Sequence, residues 1–300
     1  MSAAGILLTC LGKACYSSPP LSTSRFRAKR RGDRSVASRF RGFSPLRTAR
    51  ALAIVLPLAA VSAIGEDQSR WPDERQAGQF LCHADFPLAP QQTLLDELTQ
   101  LQQDLHMKLG APPPREKMHF FLFQAKETYQ SYMKEHFPRV PYRRALFIKA
   151  RGPGMVFAYQ GSDFEIDVRH ECTHALLHTW LPQVPLWLDE GLAEYFEASR
   201  DKRVRQNPHL ATVEATVSAS QLPRLEELEV LNDLADMGRD EYRDAWAWVH
   251  FMLHGPREAQ EELVRYLQDL QQGSDVGRLS NRLRRRMPDL NRRLAEHFRS

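Results

Sequence analysis

The chain lacks a long hydrophobic run, and it is poor in cysteine. Its uncharged stretch 51–65, ALAIVLPLAAVSAIG, has only 15 residues and contains Pro57. That length is too short for a comfortable transmembrane helix, so no stable membrane insertion is expected. Of four cysteines, only Cys82 and Cys172 follow this stretch. They could form one disulfide in an oxidising compartment, but the sequence favours two separate buried thiols.

An excess of basic charge is also missing from most of the chain. Residues 1–65 hold 11 of the 41 Lys and Arg residues but only one of the 37 Asp and Glu residues. The remaining 30 basic and 36 acidic side chains give residues 66–300 a net charge of −6. Binding to nucleic acid requires a basic face, so we expect no nucleic-acid partner.

The N-terminal segment resembles a targeting signal rather than part of a fold. An Arg- and Ser-rich stretch leads into the uncharged residues 51–65, which end in small residues at Val61-Ser62-Ala63. This order predicts a cleavable secretory signal and a secreted or periplasmic protein. A basic disordered arm, an organelle transit peptide or a downstream start codon are the alternatives.

Residues 66–300 are predicted to form one α+β domain, because strand patterns come first and helical patterns follow. The sheet-containing part covers about 75–161 and the helical part about 162–300. Short apolar runs predict strands at 78–87, 117–124, 145–149 and 155–160. Apolar residues at helical spacing predict helices at 94–109, 126–136, 163–180, 185–199, 240–254, 257–272, 276–286 and 288–298.

The motif that indicates chemistry is His170-Glu171-Cys172-Thr173-His174. Ser162 to Glu165 precede it as a predicted capping box that would start a helix. On a helix, residues four apart share one face, so both imidazoles can bind the same cation. Glu171 lies beside the first ligand and can act on a water molecule without binding the cation. Cys172 points away from that face and is expected in the core.

A catalytic zinc ion needs a third protein ligand and one open position. A second short helix is predicted to begin eleven residues after His174, with Pro185 at its first turn. A turn at 181–184 would fold this helix back against the first. Either Glu190 or Glu194, four residues apart on one face, could then supply the third ligand.

Together, His170–His174 and the Trp187-Leu188-Asp189-Glu190-Gly191 element resemble the gluzincin branch of the zincin metallopeptidases. Within that branch, the pattern is similar to uncharacterised bacterial secreted proteins with a peptidase-MA-like domain, over roughly residues 75–255. The resemblance implies a zincin-like fold, a Zn²⁺ cofactor, and His170, His174 and Glu190 as metal ligands. It also implies an edge strand that pairs with extended peptide, for which 155–160 is the candidate.

The resemblance has limits that narrow the expected activity. The spacer between His174 and Glu190 is shorter than in the large aminopeptidases, and no Gly-Ala-Met-Glu-Asn-like element precedes the motif. Binding of a free peptide N-terminus is therefore not implied. With Glu190 as ligand, Glu194 is predicted to accept the outer N–H of His170 or His174.

The implied reaction is hydrolysis of a peptide bond. Glu171 would act as general base and then as general acid. Tyr242 is the predicted donor to the oxyanion, because its segment resembles the helix that carries such a tyrosine in gluzincin aminopeptidases. However, Ala245 stands where that helix has Gly, and Tyr242 could equally belong to a core stripe. His250 is an alternative donor, and His178 is expected to be structural.

The sequence therefore predicts a zinc metallopeptidase whose partner is a peptide or protein substrate. Two other functions remain open. One is a catalytically inactive zincin-fold binding protein, and the other is a zinc hydrolase that acts on non-peptide bonds.

Overall fold

A computed structural model of the chain describes residues 7–9, 70–149 and 152–299. The predicted signal segment therefore lies outside the described residues, apart from one short strand. The described residues form a mixed α+β structure, as the sequence predicts, with six strands in one sheet. Those strands are β1 Leu7–Thr9, β2 Asp73–Ala77, β3 Phe80–Ala84, β4 Met118–Phe123, β5 Ala145–Lys149 and β6 Met155–Tyr159.

The sheet contains both parallel and antiparallel pairs, in the order β1-β5-β6-β4-β3-β2. Strands β3, β4 and β6 run parallel to one another, whereas β5 runs antiparallel to both β6 and β1. The expectation that 155–160 is the edge strand is therefore wrong. Strand β6 lies inside the sheet because β4 and β5 flank it on either side.

Strand β2 is a strand that the sequence analysis did not predict. Its sequence, DERQA, has almost no apolar residue, because it lies at the edge of the sheet with much of its surface exposed. It pairs with β3 through a tight hairpin in which Ala77 lies opposite Phe80. Gly78 has a φ of +57°, a backbone conformation that glycine adopts without strain.

The two faces of the sheet have separate cores, because side chains alternate along each strand. Phe80, Phe120 and Val156 point into the main core beneath the other helices. Phe121 and Phe157 point to the opposite face, which an aromatic helix covers. That helix is α2, Lys126–His136, whose bounds agree with the prediction.

The structure describes nine further α-helices, and most of them lie where the periodicity predicts them. They are α1 Gln92–Leu109, α3 Phe164–Leu177, α4 Leu186–Phe196, α5 Leu210–Ser218, α6 Leu225–Leu228, α7 Arg239–His254, α8 Arg257–Gln271, α9 Leu279–Arg286 and α10 Leu290–His297. Helices α5 and α6 were not predicted. None of the helices in the described part of the chain is long and apolar enough to cross a bilayer.

The start of α3 differs from the predicted capping box. Asp163 is the residue that precedes the helix, and its side chain makes no capping hydrogen bond. The Asp163 carboxylate instead forms an ion pair with Arg144, which also binds Asp167 one turn into α3. The predicted box, Ser162 with Glu165, was wrong because the helix begins at Phe164, one residue later than that box requires, which makes Asp163 the N-cap.

Candidate metal centre

Helix α3 carries the first two candidate ligands through the main core. His170 and His174 are both fully buried, and their rings meet edge to face with centroids 4.8 Å apart. One turn of helix separates them, as the four-residue spacing predicts. Glu171, between them in sequence, is fully buried as well.

Helix α4 brings Glu190 to these histidines. Its Oε2 lies 3.5 Å from His170 Nε2 and 3.8 Å from His174 Nε2. The three side chains are close enough to one another to hold a single metal ion. Two further candidate groups, His174–His178–Asp189 and His170–Glu194–Glu197, each reuse one of these histidines. The predicted return of the second helix against the first is thus confirmed.

Gly191 allows α4 to approach α7 very closely. A Cβ atom at this position would lie 2.7 Å from the backbone oxygen of Ala245 and 3.0 Å from Val249 Cγ2. The sequence analysis did not foresee which helix needs this glycine. Gly191, which follows Glu190, therefore lies directly against the helix that carries Tyr242.

Both histidines present the tautomer that a metal ligand needs. Glu197 Oε2 lies 2.9 Å from His170 Nδ1, and Asp189 Oδ1 lies 3.0 Å from His174 Nδ1. Because a carboxylate only accepts hydrogen bonds, each Nδ1 carries the proton. The lone pair of each Nε2 is then directed to the side on which Glu190 lies.

The prediction that Glu194 accepts the outer N–H of His170 or His174 is wrong. The outer imidazole nitrogens are held by Glu197 and Asp189, while Glu194 Oε2 lies 2.7 Å from His209 Nε2. The physical reason is that α4 ends at Phe196, and the turn that follows carries the Glu197 carboxylate to His170. Glu194 therefore contacts the segment that leads into α5 instead.

Glu171 is held in place by the sheet. Its Oε2 accepts a hydrogen bond of 2.8 Å from the backbone N–H of Phe147 in β5. The donor is a main-chain group, so its position does not depend on the rotamer of Phe147. The contact therefore fixes one oxygen of the Glu171 carboxylate. It also ties the motif directly to β5, one of the two strands that pack against α3.

Five buried carboxyl groups lie around the site. Burial, followed by the neighbouring carboxylates of Asp189 and Glu171, raises the pKa of Glu190 well above its ordinary value. Glu194 and Glu197 add to this effect. Buried carboxylates in such numbers need cations or protons beside them. The centre therefore has the donor atoms, the spacing and the charge to hold a metal ion.

The remaining predicted residues have other environments. His178 Nε2 lies 2.9 Å from Asp189 Oδ2, on the opposite side of that carboxylate from His174. Both ring nitrogens of His250 are engaged, by the Val204 carbonyl and by His297, as expected of a packed histidine. Tyr242 is buried in the main core, so its contact with an oxyanion stays a prediction.

The two cysteines are separate thiols. Cys82 in β3 and Cys172 in α3 are free and buried, as the sequence analysis favours. Burial raises the pKa of Cys82 to about 12. Neither thiol is poised for reaction or for metal binding.

Sequence reasoning missed two residues of the site, Asp189 and Glu197. Asp189 directly precedes Glu190. Its contact with His174 depends on how α4 packs against α3, which the sequence does not show. A signal was present for Glu197, because a carboxylate seven residues after Glu190 lies on the same side of a helix. The prediction named only Glu194, one turn after Glu190, and did not extend the pattern to Glu197.

The comparison with protein families gives a match that covers the candidate ligands but names no activity. The sequence model of a family described as "Protein of unknown function (DUF1570)" matches residues 166–275. The matched residues include His170, His174, Glu190 and Tyr242. No curated protein matches the chain.

Proposed function

We propose that the protein is a zinc-dependent hydrolase, a secreted or periplasmic metallopeptidase of zincin-like fold, with His170, His174 and Glu190 as ligands. The observation that carries the proposal is the convergence of two imidazole nitrogens and one carboxylate at 3.5 and 3.8 Å. Ligand atoms about 2.0–2.2 Å from a tetrahedral zinc ion lie about 3.3–3.6 Å from one another. The separations agree with that geometry to within a few tenths of an ångström.

The polar atoms that face one another also suit the binding of a cation. Within the part of the chain that the structure describes, His174 Nε2 and both oxygens of Glu190 are buried without hydrogen-bond partners. Such atoms are rare in proteins because leaving them unsatisfied costs about 1–3 kcal/mol each. A bound zinc ion would satisfy them, and it would lower the pKa of a water molecule and polarise a substrate carbonyl.

Glu171 is the proposed proton acceptor. The Phe147 N–H fixes its Oε2, and the carboxylate so oriented would take a proton from a water molecule and pass it to the leaving amine. Tyr242 is the proposed donor to the oxyanion. The close contact of α4 with α7 at Gly191 supports this role, because it brings the two helices together one turn from Tyr242.

The proposal of a peptide substrate is supported by the position of β5. This strand lies beside Glu171, and among the described residues its outer side pairs only with the three residues of β1. Strand β1 belongs to the predicted signal segment and would leave with it. Strand β5 would then offer main-chain groups to an extended peptide next to the candidate base.

The test of this function uses the purified fragment 66–300 and a diverse peptide library. We expect about one zinc ion per chain by elemental analysis, its loss in His174→Ala, and peptide cleavage that a chelator abolishes. Glu171→Gln should retain the zinc and lose cleavage. That result would separate an enzyme from a metal-binding scaffold.

A chain that takes up no stoichiometric zinc on reconstitution would contradict the proposal. Zinc binding with cleavage of esters or amides but no peptides would instead favour a hydrolase of non-peptide bonds. Zinc binding without any hydrolysis would favour the binding protein.

A further inference from the structure

A buried arginine lies beside the first candidate ligand and contacts the residue that holds that ligand's outer nitrogen. Arg169 directly precedes His170 in α3 and is only 5% exposed. Its Nε donates a hydrogen bond of 2.5 Å to the backbone carbonyl of Glu197. The Glu197 carboxylate accepts from His170 Nδ1 at 2.9 Å. Helix α3 thus holds Glu197 at two points, its carbonyl and its carboxylate.

This attachment matters because Glu197 lies just past the end of a helix. Helix α4 ends at Phe196, and the Glu197 N–H still bonds to the Ala193 carbonyl at 2.8 Å. The Glu197 carbonyl, however, belongs to the group of helix-end carbonyls that have no partner within the helix. Arg169 supplies that partner and so fixes the backbone from which the Glu197 side chain extends.

The charge of Arg169 is itself balanced by a third element. Its Nη1 lies 2.7 Å from Glu97 Oε2 in α1, whose side chain is 31% exposed. Glu165, one turn earlier in α3, lies 3.7 Å away and is more exposed. The donors of a guanidinium lie in one fixed plane. A buried arginine that binds a carboxylate and a carbonyl therefore holds these two acceptors in a fixed relative position.

We propose that Arg169 is a positioning residue for the metal centre. It acts through Glu197, by holding the carboxylate that fixes the tautomer and direction of His170. It does not touch the cation or a substrate. This inference rests on the proposed function, since it assigns to Arg169 and Glu97 a part in setting the metal affinity of that site.

The chain contains a matched arrangement that reaches no candidate ligand. Arg203 donates from Nε to the Ala198 carbonyl at 2.9 Å and binds Asp104 of α1 with Nη1. It is 3% exposed, and Asp104 follows Glu97 by two turns on the same helix. Arg203 therefore holds the carbonyl of Ala198, the residue after Glu197. Substituting Arg203 measures what such a contact contributes to stability when no candidate ligand is involved.

The experiment compares Arg169→Lys with Arg203→Lys in the full chain. A lysine keeps the charge but cannot serve a carbonyl and a carboxylate with a planar fork. We expect both variants to lose stability in urea unfolding. Only Arg169→Lys should weaken zinc affinity, by about tenfold, measured by competition with a chelator. Should Arg169→Lys fail to fold, Glu97→Gln tests the same link at a half-exposed position.

A double-mutant cycle separates positioning from general support. If Arg169 acts through Glu197, Arg169→Lys should weaken zinc binding far less in a Glu197→Gln background than in the wild type. Additive effects would overturn the proposal. So would an unchanged zinc affinity in Arg169→Lys, or an equal loss in Arg203→Lys.

A readout without metal distinguishes this proposal from the proposed function. In chelated protein labelled with ¹⁵N-histidine, the hydrogen-bonded Nδ1 proton of His170 should give a resonance that His170→Gln removes. That resonance should persist in Arg203→Lys and be lost or shifted in Arg169→Lys. A dependence on Arg169 in a chain that binds no zinc would refute the function and keep the positioning role. No dependence in a zinc-binding chain would refute the positioning role alone.

Discussion

Replacing Gly191 with alanine should destabilise the protein, although alanine is the better helix former. In a helix interior the exchange of glycine for alanine is favourable by about 1 kcal/mol. The added Cβ, however, would lie 2.7 Å from the backbone oxygen and 2.9 Å from the backbone carbon of Ala245. Contacts under 3.0 Å with main-chain atoms can be relieved only by moving α4 away from α7.

The size of the effect follows from these two opposing contributions. Overpacking of a filled core costs about 1–3 kcal/mol, and a clash with backbone belongs in the upper half of that range. Subtracting the gain in helix propensity leaves a net loss of about 1–2 kcal/mol in the free energy of unfolding. Because Glu190 precedes Gly191, we also expect zinc affinity to fall by about tenfold.

Urea unfolding of the chelated protein and chelator competition for zinc would measure the two effects. Gly273→Ala is a suitable control, because a Cβ there meets nothing within 4 Å. Its φ of +70° alone should cost about 1–2 kcal/mol, with zinc affinity unchanged. A Gly191→Ala protein as stable as the wild type, or more stable, would refute the argument from close approach.

Three further predictions concern different parts of the chain. Glu197→Gln should weaken zinc binding by roughly 10–100-fold in chelator competition, whereas Glu194→Gln should change it little; the reverse order would show that the contacts have been misassigned. Burial lowers the pKa of His250 to about 3, against about 6.5 in an unfolded chain. The unfolded state therefore binds an extra proton between these values, and the free energy of unfolding should fall as the pH drops from about 6.5 towards 3. In chelated protein His250→Gln should make that fall shallower, and an unchanged slope would contradict the assignment. Mass spectrometry of the exported protein should place its N-terminus between Ile64 and Glu66, and recovery of peptides from 1–50 in the mature form would argue against a cleaved signal.

Local patterns in the sequence were sufficient for the parts of the fold that depend on periodicity. Helices α1 and α2 and strands β4 and β5 lie where alternation and helical spacing predict them. The pairing of strands could not be predicted in the same way. Whether β6 lies inside the sheet or at its edge depends on the order of the strands, which local spacing does not encode. Strand β2 escaped notice because an exposed edge strand needs few apolar residues.

The candidate site divides in the same way. His170, Glu171 and His174 follow from the four-residue period of one helix, and Glu190 from a second helix that folds back on the first. The contacts of Asp189 and Glu197 depend instead on how far α4 is rotated and where it ends. Those quantities are set by packing against α7 at Gly191 and by arginines from distant parts of the chain.

The two buried thiols make it possible to measure how often the core of the protein opens. Cys82 and Cys172 are the only cysteines in residues 66–300, and they lie on the sheet and on the motif helix respectively. A thiol reagent can reach them only when the sheet and α3 separate, because both side chains are almost fully enclosed. The rate of labelling in the mature fragment would therefore follow the opening of the core around α3. Comparing that rate with and without zinc would show how strongly the ion holds the helix closed, with no probe added to the chain.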